Sequence, residues 1–92
     1  MDSENSTHEE NSIDFGYECD LHFFHPKDTK DVILEFIEQA KNKRLQKIRL
    51  VHGKGKSVKK KMAYKILAEH PAVESFHDDS HNWGATIIVI KT

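Results

Sequence analysis

Apolar and polar positions alternate along this chain in segments of two different periods, and the periods define its elements. Tyr17 to Leu21 and Lys47 to Val51 are short runs with the character of strands. Between them Val32, Ile33, Phe36, Ile37 and Ala40 recur at helical spacing. Pro26, Asp28 and Thr29 supply a helix start, with Asp28 or Thr29 as the cap and Asp31 in the first turn. A second helical pattern runs from Ser57, a candidate cap, to Glu69, with Val58, Met62, Ile66 and Leu67 facing inward, and Pro71 ends it. Val73 to Phe76 and Ala85 to Ile90 read as third and fourth strands joined by a polar loop that holds His77, Asp78, Asp79 and His81.

The order is β-α-β-α-β-β. Strands joined by helices imply parallel pairing with right-handed crossovers, and the last two strands suit a hairpin. The fold class is α/β: a two-layer sandwich of a four-stranded mixed sheet with two helices on one face. Residues 1–15 are polar and acidic, and they read as a disordered tail ahead of a single domain over 16–92.

Charge is distributed unevenly. The chain of 92 residues has 14 Lys and Arg against 15 Asp and Glu, for a net charge of −1. Yet residues 1–26 hold acids and neither Lys nor Arg, while residues 41–65 hold Lys or Arg at eleven positions and no acid. A segment of that kind is a candidate surface for a polyanion. The N-terminal acids could shield it in cis, although a passive leader is the plainer reading. Cys19 is the one cysteine, so an intrachain disulfide is excluded and a reducing, cytoplasmic setting is expected. The longest apolar run, Ile87 to Ile90, is too short to cross a membrane, and the acidic N-terminus is unlike a secretory signal.

The candidate chemistry falls at two strand ends, where open α/β sheets hold their ligands. The first strand ends in Asp20-Leu21-His22, and strand alternation puts Asp20 and His22 on one face. The second ends in His52-Gly53-Lys54-Gly55, a strand–glycine–helix sequence suited to an anion. If the two strands are neighbours, Asp20, His22 and His52 converge. A carboxylate beside a histidine fixes its tautomer, and two histidines near a phosphate can act as general base and general acid. Gly53, Lys54 and Gly55 would cradle the phosphate, and Lys56, Lys59, Lys60 and Lys61 would follow the flanking backbone. No cofactor follows from these motifs by themselves. The alternative use of Asp20 and His22 is to hold a metal ion, Mg2+ or Mn2+, with a phosphate oxygen. Cys19, His22 and His25 are spaced like zinc ligands, but a fourth ligand is not evident.

These motifs resemble those of the small MutS-related, or Smr, domain. Cys19-Asp20-Leu21-His22 matches the family block Leu-Asp-x-His, His52-Gly53-Lys54-Gly55 matches His-Gly-x-Gly, and Trp83-Gly84-Ala85-Thr86 matches a third block that contains glycine and ends in Thr before an apolar strand. The resemblance spans residues 18–92. It implies a sandwich similar to the C-terminal domain of bacterial initiation factor three. It also implies nucleic-acid binding with endonuclease or nicking activity on DNA or RNA in several members, or a non-catalytic module that binds nucleic acid or a ribosome, with a ribosomal or repair partner. The functional residues it carries over are Asp20, His22, His52, Gly53 and Gly55. The chain departs from the pattern at Cys19, in place of Leu, at Phe23, where glycine often follows the histidine, and at Trp83, where the third block often begins with glycine. An exposed Trp83 would suit stacking on a base.

Overall fold

The structure, a computed structural model, describes residues 13–53 and 58–91, with the side chain of Trp83 outside the described set. Its elements in chain order are β1 (Glu18–Asp20), α1 (Thr29–Asn42), β2 (Lys47–Val51), α2 (Val58–Glu69), β3 (Val73–Asp79) and β4 (Asn82–Ile90), with 3₁₀ turns at Leu21–Phe23 and Pro26–Asp28. The sheet order is β1-β2-β4-β3. β1 runs parallel to β2, with Asp20 opposite Val51, and β4 runs antiparallel to both β2 and β3. The expected mixed four-stranded sheet and terminal hairpin are therefore present, with β4 inserted between β2 and β3.

The core lies between the sheet and the helices. From α1 it takes all five residues of the apolar stripe, Val32, Ile33, Phe36, Ile37 and Ala40, which meet Ile48, Leu50, Ile88 and Ile90 of the sheet. Phe15, in the segment read as tail, packs edge-on against Phe36 with ring centroids 5.4 Å apart. Gln39 of α1 ties down the backbone there, bonding Phe15 N–H at 3.1 Å and donating to the Ile13 carbonyl.

Three expectations are corrected. β1 stops at Asp20, and Leu21 enters a 3₁₀ turn because the Asp20 carboxylate caps it, accepting the His22 N–H. The last loop is short, because β3 extends through His77 and Asp78 to Asp79 and β4 begins at Asn82. The Asp79 carboxylate accepts the His81 N–H at 2.9 Å, and this Asx turn closes the hairpin. Finally, Val58 and Met62 do not face inward. The buried residues of α2 are Ala63 and Leu67, and Val58 is 74% exposed. The helix meets the core through Ala63 and Leu67, while Val58 and Met62 lie on its cleft side.

α1 ends in a Schellman motif: Leu45 N–H returns to Ala40 O at 2.9 Å and Arg44 N–H to Lys41 O at 3.1 Å. That motif places a left-handed residue where glycine is usual, and here it is Arg44, with φ 59°. A left-handed conformation costs an L-residue about 1–2 kcal/mol, partly offset in a glycine by its greater chain entropy. Arg44→Gly is therefore expected to raise the stability by about 0.5–1 kcal/mol in urea unfolding.

Candidate functional site

The parallel pair β1–β2 puts both motifs at one edge of the sheet. Asp20 Oδ1 accepts the His22 backbone N–H at 2.9 Å and lies 2.7 Å from His22 Nδ1. The expected contact is present, but it is made by the 3₁₀ turn rather than by strand alternation. An ionised carboxylate only accepts, so Nδ1 carries the proton and Nε2 is left as the basic nitrogen. The His22 side chain is 57% exposed. Its Nε2 lies 3.4 Å from where a Cβ on Gly53 would sit.

Gly53 has φ +105°, a conformation open to glycine and strained for other residues. Its N–H and that of His52 both donate to Gly84 O at 2.9 Å. The Gly53 N–H is thus occupied, and what the glycine supplies is the positive-φ turn that sets the backbone beside the imidazole. Lys54, Gly55, Lys56 and the candidate cap Ser57 lie outside the described residues.

His52 backs the cleft and is 1% exposed. Its Nδ1 lies 3.0 Å from Gly53 O and its Nε2 2.7 Å from Thr86 Oγ1. Burial lowers its pKa below the ordinary 6.5, opposed by the Gly53 carbonyl and reinforced by Lys60. The neutral ring donates from Nδ1 to Gly53 O and accepts the Thr86 proton at Nε2. Beyond Thr86, at 3.2 Å, stands the Tyr64 hydroxyl, which donates to the Asp78 carboxylate. That bond holds Asp78 below the usual carboxylate range, with Lys60 adding to the effect. Tyr64 in turn packs edge-on against Phe76, with ring centroids 5.0 Å apart. Tyr64 was not legible as a site residue, and Thr86 was legible as the end of the third motif block but without a role. The signal was one of register: Thr86 is a polar residue in line with the inward-facing Ile88 and Ile90.

A cleft of about 570 Å³ opens beside this pair, lined by His22, Pro26, Gly53, Val58, Lys59 and Met62 among others. Lys59 reaches toward Leu21 O at 3.4 Å. Lys60 pairs with Asp78 at 3.4 Å and stands over the Tyr64 ring, while Lys61 is exposed. Some of the cations of the basic segment are thus engaged inside the fold. Arg49 bridges Glu18 and Asp79 at 2.8 Å each, and Lys43 pairs with Asp14. Trp83 has its backbone in β4, and its side chain lies outside the described set.

Among the described residues, no three of His, Cys, Asp and Glu cluster to hold a metal ion. Asp20 and His22 supply two donors, so a hard cation there would complete its shell with water and phosphate oxygens. Cys19 is buried, and its thiol is pushed up to about 12, first by burial and then by Asp20 and Glu18, which leaves it a poor nucleophile.

Residues 19–91 match the family model of the Smr domain. The chain is 32% identical over 71 residues to the ribosome rescue factor SmrB of Yersinia enterocolitica, covering 77% of this chain and 40% of that protein. It is 29% identical over 80 residues to the endonuclease MutS2 of Carboxydothermus hydrogenoformans, covering 84% of this chain and 10% of that one. It therefore spans well under half the length of these relatives. The crystal structure of the Smr domain of Thermus thermophilus MutS2 superimposes with a TM-score of 0.75 at 26% identity, covering 82% of this chain and 98% of that one. The stand-alone small MutS-related protein YdaL of Escherichia coli shares the fold, with a TM-score of 0.77 at 16% identity over 91% of this chain and 71% of its own.

Two outcomes are expected from this geometry. Gly53→Ala should cost about 1–3 kcal/mol in urea unfolding, because it forces a side chain into a positive-φ conformation. The depressed pKa of His52 means that the unfolded chain binds more protons. Its contribution to stability is present above 6.5 and is lost as the pH falls through the lower folded value. His52→Gln, which bonds but does not titrate, should show a smaller loss of unfolding free energy between about pH 7 and about pH 5 than the wild type.

Proposed function

The chain belongs to the Smr domain family, and from that premise we propose that it binds nucleic acid and cuts its phosphodiester backbone as an endonuclease, with His22 as the general base. The observation that carries this is the Asp20–His22 pair: a carboxylate 2.7 Å from Nδ1 fixes the tautomer of the neutral ring, so that Nε2 is its accepting nitrogen, beside a cleft that His22 lines together with Lys59. Relatives named as an endonuclease and as a ribosome rescue factor support the same substrate class.

In this reading His22 Nε2 takes the proton from the attacking oxygen, a water or, in RNA, the neighbouring 2′-hydroxyl. That oxygen forms a bond to phosphorus, and the bond to the leaving sugar oxygen breaks. The leaving oxygen takes a proton from solvent or from Lys59, whose ammonium also offsets charge on the phosphoryl oxygens. Asp20 is a positioning residue that fixes the tautomer of His22. His52 is a second positioning residue: buried and bonded at both ring nitrogens, it holds the Gly53 turn against the His22 ring. Lys54, Gly55 and Lys56 extend the phosphate contact, Lys59, Lys60 and Lys61 set a basic flank for the backbone, and Trp83 is a further candidate for stacking. A divalent cation, Mg2+ or Mn2+, held by Asp20 and substrate oxygens is compatible with this donor set. The setting is cytoplasmic, in keeping with a lone buried thiol; among the described residues no helix is long and apolar enough to cross a membrane.

The second reading is a module that docks on nucleic acid or on a ribosome without cutting, favoured by the relative named as a ribosome rescue factor. Cleavage of supercoiled plasmid and of a structured RNA, each with Mg2+, Mn2+ or chelator, separates the two. His22→Ala is expected to lower the cleavage rate by about 10²-fold or more with binding nearly unchanged, as for loss of a general base. Asp20→Asn should lower the rate less and leave the substrate affinity intact. Salt-sensitive binding by wild type without cleavage in any column would establish the second reading instead.

A further inference from the structure

Among the described residues three polar side chains are buried: Thr29 at 2% exposure, His52 at 1% and Thr86 at 0%. His52 and Thr86 satisfy each other at 2.7 Å. The Thr29 hydroxyl has no hydrogen-bond partner among the described residues. The Thr29 backbone N–H returns to Pro26 O, so the residue is fixed in place while its side chain is left unbonded. A buried hydroxyl without a partner bears the full cost of its desolvation, and such a group in a folded chain calls for an explanation.

The position of Thr29 supplies one. It opens α1, a helix of 14 residues, at the end where the helix dipole is positive. It lines the cleft of about 570 Å³ together with His22, Gly53 and Lys59, and no carboxylate lines that cleft. Asp28 and Asp31, the acids nearest to it in the chain, line a different hollow with Phe15 and Phe24.

We infer that Thr29 is a substrate-contacting residue whose hydroxyl donates to a nonbridging oxygen of the phosphate that meets His22. This rests on the phosphodiester reading above and adds to it a second protein contact on the same phosphate. A nonbridging phosphoryl oxygen is charged and only accepts. A donor that shares its cleft with Lys59 and stands at a helix N-terminus selects such an oxygen over a cation or a neutral group. The desolvation of the hydroxyl is already complete in the free protein, so the bond to substrate requires little more. The donor is also held in place before the substrate arrives, by burial and by the Pro26 bond. As the attacking oxygen adds to phosphorus, charge on the nonbridging oxygen grows and the bond strengthens. Thr29 therefore acts on the rate as well as on binding.

The test compares wild type, Thr29→Val and Thr29→Ser on an oligonucleotide that the wild type cuts, in DNA or RNA. Each is assayed on the all-oxygen substrate and on its two phosphorothioate diastereomers at the cleaved linkage. Thr29→Val keeps the shape and removes the hydroxyl, and it is expected to cut the all-oxygen substrate about 10²-fold more slowly. Sulfur is a poor acceptor, so the wild type should discriminate between the diastereomers. Thr29→Val should narrow that discrimination about tenfold, since the bond that sulfur would weaken is already gone. Thr29→Ser, which keeps the hydroxyl, should retain it. In urea unfolding Thr29→Val should have a midpoint equal to or above that of the wild type, because no internal hydrogen bond is lost. The same discrimination in wild type and Thr29→Val overturns the inference and leaves the phosphodiester reading standing. So does a discrimination lost equally in Thr29→Ser. A lowered urea midpoint in Thr29→Val reveals a partner within the fold and likewise overturns it. Failure of the wild type to cut any of the substrates, with Mg2+, Mn2+ or chelator, overturns the phosphodiester reading and this inference with it.

Discussion

The site depends on the parallel pairing of β1 with β2, in a register that sets Asp20 opposite Val51. That register brings two chain segments to the same height at the same edge. One continues into the Asp20-capped turn that carries His22, and the other into the His52–Gly53 turn. A slip of one residue would turn Cys19 out of the core, since strand side chains alternate between faces. The burial of Cys19, Ile48 and Leu50 therefore fixes the position of the histidines. The crossover helix α1 supports the pairing, because its stripe is buried in the same core as Cys19, Ile48 and Leu50.

Each histidine then has an environment that sets its chemistry. His22 is open and bonded at Nδ1, and it borders the cleft. His52, thirty residues on, is enclosed, neutral and bonded to the Thr86 hydroxyl. Gly53 links the two, because its positive φ lets the turn pass close against the His22 ring. The division of labour follows from burial: a ring that must exchange protons with substrate needs access, and a ring that must hold a turn needs partners.

Much of this was legible in the sequence, though not always for the right reason. The helical stripe of α1 and the four strands follow from periodicity, because they face one continuous apolar layer. The Asp20–His22 contact was anticipated from strand alternation, yet the aspartate ends the strand by bonding the backbone two residues on, a local competition that periodicity does not register. The same blindness misplaced Val58 and Met62. An apolar pair at i, i+4 reads as core, whereas the face of this helix that meets the core is the one that carries Ala63 and Leu67. His52 was legible as a site residue, but its burial depends on Thr86 and Tyr64, which arrive from β4 and α2. The strand limits at Asp79 and Asn82 were hidden because the hairpin's outward residues are polar.

The central claim is that Asp20 holds the neutral His22 ring in its Nδ1–H tautomer, with Nε2 toward the substrate. The ¹⁵N chemical shifts of the His22 ring test it most directly, recorded for wild type and Asp20→Asn with and without a short single-stranded oligonucleotide. The account predicts a Nδ1–H tautomer in the wild type, a mixture of tautomers in Asp20→Asn, and a shift at Nε2 when the oligonucleotide is added. A wild-type ring protonated at Nε2 alone, or an oligonucleotide that perturbs other surfaces and leaves His22 unmoved, would contradict it.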